Sequence, residues 1–391
     1  MKKMLYSIGT LVVFGVGLFL FSRTRPAIAP AITPATQAPI PARTPSTDIV
    51  VEEVVGELEV PWSIVFTDAE RMLVSERPGR IRIIENNKLV KRPLATFDEV
   101  SSQDEEGLMG LALDPNYREN KQVYACIAYP KDEGLVDKVI SFIDEGTSIS
   151  NQTTILDNIP AGRFHAGCRL AFGPDGLLYI TTGDATDKEI AQDSKSLGGK
   201  ILRIGADGSI PQDNPFPNSP IWTLGHRNPQ GIGWHPTTGA LLESEHGPSG
   251  FDGPLGGDEI NEIIKGENYG WPRVSHEKTD PQFATPLVVY TPAVAPGSGT
   301  FYDGTILTQF TNHFLFGGLK GEGVYDVELT DEAPHTVVSQ GVIPQTAKYG
   351  RIRDVATGPD GYIYFSTSNR DGRGDTPHPQ DDKILRILPQ P

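Results

Sequence analysis

One structural unit recurs six times along this chain, and it limits the folds that the chain can adopt. Each copy is a short apolar segment, a turn rich in Pro, Asp or Gly, and a second segment rich in β-forming residues. The copies lie at Ile64–Val74, Leu111–Ala125, Leu170–Thr182, Ile232–Leu242, Phe301–Gly317 and Val355–Ser366. Their turns are spaced by about 58 residues on average. A period of this length, with several strands per unit, is typical of propeller blades and not of solenoids of helix pairs.

Six such units fill residues 48–391, so the sequence predicts an all-β fold, a six-bladed β-propeller. We expect closure between the β-rich segment Ile49–Leu58 and the C-terminal segment Lys383–Ile387, because their pairing hides both sheet edges. No heptad pattern or long amphipathic helical pattern competes with this interpretation. A double β-sandwich is the alternative fold.

The charge balance and the cysteine count exclude several classes of protein. Asp and Glu number 50 against 34 Lys and Arg, which gives a formal net charge of −16. Since a nucleic-acid binder needs a basic face to meet phosphates, we expect no nucleic-acid partner. Two cysteines in 391 residues exclude a disulfide scaffold and a cysteine-rich zinc protein. Cys126 and Cys168 are interpreted as buried thiols, with a disulfide as the alternative.

The N-terminal region is predicted to be separate from the propeller. Lys2 and Lys3 precede an uncharged, mostly apolar run, Met4–Ser22, close to the roughly 20 residues that cross a bilayer. Residues 1–25 are therefore predicted as a signal or anchor segment, either an uncleaved membrane tether or a cleaved secretory signal. Residues 26–47 contain six prolines and no acid, which predicts an extended linker. In either case we expect the propeller, residues 48–391, outside the cytoplasm, in the periplasm or at the cell surface.

Four cations lie in predicted loops of this otherwise acidic chain: Arg227, Lys320, Arg351 and Arg353. In a propeller, ligands bind where loops from different blades converge on the central channel. Arg351 and Arg353 alternate at period two and therefore point to the same side of one strand. Because a guanidinium binds a carboxylate through two hydrogen bonds, the set suits a ligand with several carboxylates. The alternative is that each arginine pairs with an acid on a neighbouring blade.

His165 is a candidate general base, because an imidazole titrates near neutral pH. Asp184 follows about one strand later and is able to accept the other ring N–H, which would fix the tautomer. The alternative is an ordinary loop or core histidine without a catalytic role.

A further set of residues is rich in oxygen and suits Ca²⁺. It comprises the carboxylates of Glu245, Asp258 and Glu259 and the backbone carbonyls of Gly247 and Pro248. The spacing is not that of an EF-hand, and solvated surface carboxylates are the alternative interpretation.

The order of the polar motifs resembles that of one enzyme family. The motifs are Glu105–Gly110, His165 with Gly167 and Arg169-Leu170, Gly225–Gly231, Glu245–Pro248, Gly257–Asn261, Asn268–Pro272, Leu319-Lys320 and Arg351–Val355. In this order they resemble the soluble PQQ-dependent aldose sugar dehydrogenases, the glucose/sorbosone dehydrogenase family of six-bladed propellers. The resemblance runs from about Pro61 to Leu388, which is nearly the whole predicted propeller.

The resemblance implies a PQQ- and Ca²⁺-dependent oxidation of aldose sugars to lactones by hydride transfer to PQQ, with electrons passed to an external quinone or cytochrome. It implies that His165 is the general base, that Asp184 orients it, and that Arg227 stabilises charge on the quinone oxygen. It implies that PQQ is held by Glu105, Arg227, Asn228, Lys320, Arg351 and Arg353. It further implies that Gly247 and Pro248 ligate the cofactor's calcium, and that a second calcium lies near Glu245, Asp258 and Glu259.

The chain departs from the family pattern at three places. Cys168 stands where glycine is usual, Ser249–Gly256 is an insertion, and Ala295–Gly299 has one residue more than the usual run. These departures bear on the substrate pocket and on the second metal. Two other functions are open: a calcium-dependent propeller hydrolase such as a lactonase, which would leave the four cations unused, and a non-catalytic propeller whose arginines recognise a partner or a glycan.

Overall fold

The computed structural model describes residues 41–42, 48–132, 134–374 and 377–390. The predicted signal or anchor segment, residues 1–25, lies outside the described residues, as does nearly all of the predicted linker, residues 26–47. In the ranges that are described, no helix is both long enough and apolar enough to cross a membrane.

The described residues form six antiparallel sheets, and strand β1 (Ile49–Val55) belongs to the sixth. The first sheet has β2 (Pro61–Phe66), β3 (Arg71–Glu76), β4 (Arg80–Glu85), β5 (Lys88–Leu89) and β6 (Ala95–Thr96). The second has β7 (Leu108–Leu113), β8 (Gln122–Lys131), β9 (Gly134–Asp144) and β10 (Ile149–Ala161). The third has β11 (Gly167–Phe172), β12 (Leu178–Thr182), β13 (Lys200–Ile204) and β14 (Ile221–Leu224).

The fourth sheet has β15 (Pro229–Trp234), β16 (Leu241–Glu245), β17 (Asp258–Ile263) and β18 (Val288–Tyr290). The fifth has β19 (Pro296–Phe301), β20 (Phe314–Gly318), β21 (Gly323–Leu329) and β22 (Val337–Val342). The sixth has β23 (Ile352–Thr357), β24 (Ile363–Thr367), β25 (Ile384–Pro389) and β1. Helical structure in the described ranges is confined to α1 (Tyr117–Asn120), α2 (Pro344–Ala347) and two 3₁₀ turns, Lys188–Gln192 and Thr308–Phe310.

The predicted six-bladed β-propeller is confirmed, and the double β-sandwich is excluded. Every one of the six predicted turns lies between the first and second strands of a sheet. The predicted closure is also present, since β1 pairs antiparallel with β25 and sets Val51 opposite Ile387. The last blade is thus completed by the first strand of the chain, which removes both exposed edges.

Side chains within the turns explain why the repeats form hairpins. Asp175 Oδ1 accepts the N–H of Leu177, and its Oδ2 accepts the hydroxyl of Tyr179 on the second strand. The glycine that follows Asp175 has φ +74°, a left-handed conformation that suits glycine. In the sixth blade, Asp360 binds the Tyr364 hydroxyl in the same way. The turn residues therefore close the backbone and fix an aromatic residue of the next strand.

The apolar core lies between neighbouring blades. In the described residues it comprises six clusters. Five of them lie between two adjacent sheets, and the sixth, between the second and third sheets, also includes Trp62 of the first. The first strand of every sheet contacts the first strand of the next, so β2, β7, β11, β15, β19 and β23 form a closed ring around the central channel. The interpretation of the cysteines as free thiols is wrong: Cys126 on β8 and Cys168 on β11 form a disulfide between the second and third blades, with Cα atoms 6.1 Å apart.

Candidate active site

The predicted site residues lie in loops at one end of the propeller. In each blade the innermost strand begins where the second strand ends, because the two strands are antiparallel neighbours. His165 thus precedes β11, Asp184 follows β12, and Arg227 and Arg351 precede β15 and β23. The same ends of the strands carry the remaining predicted residues: Glu105, Asn228, Glu245, Gly247, Pro248, Asp258, Glu259, Lys320 and Arg353.

His165 and Asp184 are hydrogen-bonded, with 2.6 Å between Nδ1 and Oδ1. Both side chains are buried. Because Nδ1–H donates to the carboxylate, the imidazole is held as the tautomer whose Nε2 is unprotonated. Nε2 has no hydrogen-bond partner among the described residues, so this nitrogen is free to accept a proton.

The backbone around His165 is left-handed and is held by close contacts. His165 has φ +61°, a conformation that costs a non-glycine residue about 1–2 kcal/mol. Its N–H donates to Glu105 Oε2 at 2.8 Å. A Cβ added at Gly183 would lie 1.7 Å from the carbonyl oxygen of His165, so this position requires glycine. His165 is therefore fixed by its own loop and by the loop that carries Asp184.

Trp271 is a site residue that sequence analysis missed. Its indole Nε1 donates to Asp184 Oδ2 at 2.8 Å, and the side chain is buried. The sequence signal was its position in the Asn268–Pro272 motif, which indicates the family but gives no role for the tryptophan.

Glu105 lies beside His165 at the mouth of the channel. Burial alone would raise the pKa of this carboxyl, but the charge of Arg373, followed by interactions with His246 and His165, lowers it to about 2. Arg373, which sequence analysis also missed, donates to Glu105 Oε1. Glu105 is therefore ionised at ordinary pH and acts as a hydrogen-bond acceptor.

Arg227 is buried, and the inserted loop Ser249–Gly256 supplies two of its partners. Its Nε donates to Asp252 Oδ2 at 2.7 Å and its Nη2 to Ser249 Oγ at 3.0 Å. Its Nη1 donates to the carbonyl of His246 at 3.1 Å. The alternative interpretation was that each arginine pairs with an acid on a neighbouring blade. It holds for Arg227 in part, because Arg227 pairs with an acid, but Asp252 belongs to the same blade.

Arg351 is paired in a similar way. Its Nε and Nη2 both bind Asp371 Oδ2, at 3.0 and 2.6 Å, and its Nη1 donates to the carbonyl of Leu319. Asp371 again belongs to the same blade. Two of the four predicted cations therefore already have carboxylate partners.

The other two cations have no carboxylate partner among the described residues. Arg353 is buried and its Nη1 donates to Gln230 Oε1 at 3.0 Å, but its Nε has no partner. Burial lowers the pKa of Arg353 to about 10. Lys320 is exposed. Asn228 Nδ2 is also buried without a partner. Unpaired cations and orphaned donors at one channel mouth suit an anionic ligand with several acceptor oxygens.

A cavity of about 10 Å³, roughly the size of one water molecule or ion, lies next to Arg227 and Trp271. It is lined by four of the five predicted metal residues: Glu245, Gly247, Pro248 and Glu259. Burial, and then the charge of Glu245, raises the pKa of Glu259 well above its usual range. A divalent cation would relieve this repulsion, so the donor set fits Ca²⁺.

Asp258, the fifth predicted metal residue, does not line this cavity. Its Oδ1 accepts the N–H of Gly247 at 2.8 Å, and its Oδ2 accepts the N–H groups of Val294 and Ala295 at 2.7 and 2.6 Å. Asp258 thus fixes the loop of Gly247 and Pro248, two of the residues that line the cavity.

A neighbouring acidic cluster was not predicted. His226, Glu243 and Glu245 are buried with their ligand atoms within 4.8 Å of one another. Burial, and then the charge of Glu245, raises the pKa of Glu243 to about 7. The signal was the Glu-x-Glu pair at the end of β16, in which both side chains face inward.

The inserted loop Ser249–Gly256 also covers the base. Phe251 is 66% exposed, yet its ring stacks on the imidazole of His165 with 5.8 Å between centroids and 20° between planes. Because the stacking covers a ring face, the in-plane lone pair of Nε2 stays accessible. The Phe251 side chain therefore covers one face of the His165 ring.

Comparison with known proteins gives a consistent result. Residues 58–385 match the family model described as Glucose / Sorbosone dehydrogenase. Aldose sugar dehydrogenase YliI of Escherichia coli is 30% identical over 346 aligned residues, which cover 82% of this chain and 91% of the relative. Quinoprotein glucose dehydrogenase B of Acinetobacter calcoaceticus is 27% identical over 415 aligned residues, covering 82% of this chain and 85% of the relative.

A solved structure is similar over the same region. The PQQ-bound form of aldose sugar dehydrogenase from Streptomyces coelicolor has a TM-score of 0.77 and 32% identity to this chain. The alignment covers 89% of this chain and 100% of that one.

Proposed function

The chain belongs to the glucose/sorbosone dehydrogenase family and is an oxidoreductase, and we propose that it oxidises aldose sugars to lactones with PQQ as the oxidant in its site. The observation that carries the proposal is the hydrogen-bonded pair His165–Asp184, with Nε2 free, at the same channel mouth as unpaired cations. A base next to an anion-binding cradle suits removal of a hydroxyl proton while a bound cofactor takes the hydride.

PQQ is a tricarboxylate, and the residues of the site fit it. Lys320 and Arg353 have no carboxylate partner among the described residues, and the unpartnered Nδ2 of Asn228 lies among them. Arg351 would contribute a further positive charge to the carboxylates, while Arg227 and Glu105 would contact the quinone ring. Each charge-assisted hydrogen bond to a carboxylate is worth about 1.5–3 kcal/mol.

The reaction would divide between cofactor and protein. When bound, PQQ supplies a two-electron oxidant that accepts the hydride from C1 of the sugar. His165 Nε2 would take the proton of the anomeric hydroxyl, and Asp184 would stabilise the imidazolium that forms. Arg227 would stabilise negative charge on the quinone oxygen. Loss of a hydride and a proton converts the aldose to its lactone.

Calcium is proposed as the metal of this site. The carbonyls of Gly247 and Pro248 would hold it next to the cofactor, where it acts as a Lewis acid. Glu245 and Glu259 are proposed to hold a second calcium, and Asp258 to position the loop between them. The cavity lined by Gly247, Pro248, Glu245 and Glu259 is the size of one ion, so it supports one calcium.

We also propose that the propeller is exported and passes electrons to an external quinone or cytochrome. The positively charged start and apolar run at residues 1–25 support export. The disulfide Cys126–Cys168 supports it independently, because disulfides persist in oxidising compartments.

The test is a reconstitution titration of the purified chain with PQQ and Ca²⁺, followed by dye reduction with aldoses. His165→Ala should lose about 10²–10⁴-fold in turnover and should still bind PQQ. His335→Ala is the matched control, because His335 is equally buried and lies at the opposite end of the blades, where it stacks on His235. Absence of aldose-dependent dye reduction by the wild type would contradict the proposed function, and near-normal turnover of His165→Ala would contradict the base.

A further inference from the structure

One carboxylate, that of Asp184, joins two ring N–H groups from different blades. Its Oδ1 accepts from His165 Nδ1 at 2.6 Å and its Oδ2 accepts from Trp271 Nε1 at 2.8 Å. His165 and Asp184 flank strands of the third blade, whereas Trp271 follows β17 of the fourth. All three side chains are buried. The indole N–H therefore contacts the proposed base through the carboxylate and does not touch the base itself.

The indole is held in place independently of Asp184. The backbone N–H of Trp271 donates to the carbonyl of Gly225 at 2.9 Å, and its carbonyl accepts from Gln192 Nε2 at 2.7 Å. The guanidinium of Arg227 lies over the indole ring, 5.5 Å from its centroid, a distance at which a cation is attracted to the ring face. Since these contacts hold Trp271 from several sides, its indole N–H is a hydrogen-bond donor with a fixed position relative to the Asp184 carboxylate.

We propose that Trp271 is a positioning residue for proton abstraction: it fixes one oxygen of Asp184 so that the other stays aimed at His165 Nδ1. This inference rests on the proposed function, because it assigns a role within the same reaction. Without the indole N–H, Oδ2 would be a buried acceptor without that partner, and the carboxylate could rotate away from His165. The imidazole would then lose its fixed tautomer for part of the time.

The chain offers a matched control for removal of an indole N–H. Trp222 also has an arginine over its ring, with Arg203 at 4.6 Å, but its Nε1 has no hydrogen-bond partner among the described residues. Trp271→Phe and Trp222→Phe thus remove the same atoms from similar surroundings. Only the first of them breaks a contact with Asp184.

The experiment compares both variants with the wild type after loading with PQQ and Ca²⁺. In Trp271→Phe, kcat for aldose oxidation should fall about 10- to 100-fold, the range for partners that orient a functional histidine. The KM for the sugar and the Kd for PQQ should stay within about twofold. Trp222→Phe should change none of these quantities.

A second variant covers the case in which phenylalanine disturbs folding. Incorporation of β-(3-benzothienyl)alanine at position 271 replaces the N–H by sulfur and keeps the size of the ring, so it should reproduce the loss of kcat with an unchanged KM for the sugar. A wild-type kcat in this variant would overturn the role of Trp271 while leaving the proposed function intact. An inactive wild type would instead overturn the proposed function itself.

Discussion

Replacement of Cys126 and Cys168 by alanine should lower the free energy of unfolding of the propeller by about 4 kcal/mol. The disulfide joins residues that are separated by 42 positions in the sequence. In the chain-entropy model, a closed loop of that length restricts the unfolded chain by about 13 cal/mol/K, which is about 4 kcal/mol at 25 °C. For a propeller of about 340 residues, the unfolding entropy is about 0.7 kcal/mol/K, so Tm should fall by about 6 °C.

Urea unfolding of the wild type and of the double variant, each with and without dithiothreitol, measures this effect. Both cysteines are fully buried in the second and third blades, so the variant also loses some packing. Dithiothreitol separates the two contributions, because it acts only on the cross-link. It should destabilise the wild type by about 4 kcal/mol and leave the variant unchanged.

Two results would refute this reasoning. A loss below about 1 kcal/mol on reduction of the wild type would show that the cross-link does not restrict the unfolded chain as the loop length requires. Two free thiols in the purified, unfolded wild type would show that the disulfide itself is absent.

Three further predictions concern the site and its surroundings. Asp184→Asn should lower kcat about 10²–10⁴-fold at saturating PQQ, because an amide does not hold His165 in the tautomer with a free Nε2; a loss below threefold in the dye assay would contradict this. Lys320→Ala should raise the PQQ concentration for half-reconstitution by about tenfold or more, with turnover retained at saturation. Unchanged PQQ binding would show that Lys320 does not belong to the cofactor pocket. Burial raises the pKa of both Glu106 and Asp137, whose carboxyl groups are in contact. Their contribution to stability is therefore complete below the ordinary carboxyl pKa and is lost as pH rises through the raised values. In the wild type, the free energy of unfolding should decline by up to about 1.4 kcal/mol per pH unit, and Asp137→Asn should make this decline shallower. An equally steep decline in the variant would show that other groups cause it.

The architecture could be predicted from the sequence because the strands of each blade are close together in the sequence. A turn such as Gly173–Gly176 closes a hairpin through its own aspartate and glycine, and six such hairpins at a regular spacing leave few ways to bury their apolar faces. Closure by β1 and β25 followed from the need to hide two edges, although these strands lie more than 300 residues apart.

The pairing of His165 with Asp184 was also predictable, because a carboxylate commonly accepts the N–H of an imidazole and fixes its tautomer. Their membership in one hydrogen bond was inferred from spacing and is present in the structure. The predicted residues that hold PQQ and calcium remain proposals, as does the anchor or signal at residues 1–25.

Only the tertiary structure decided which segments that are distant in sequence pair with one another. The four cations look alike in the sequence, yet Arg227 and Arg351 have carboxylate partners, whereas Lys320 and Arg353 have none within the described ranges. The disulfide and the Trp271–Asp184 contact each join two blades, across 42 and 87 positions of sequence. Local patterns specify a hairpin and its turn, but the orientation of one blade against the next depends on the packing of the clusters between them. Contacts across that boundary therefore appear only when the ring of blades is closed.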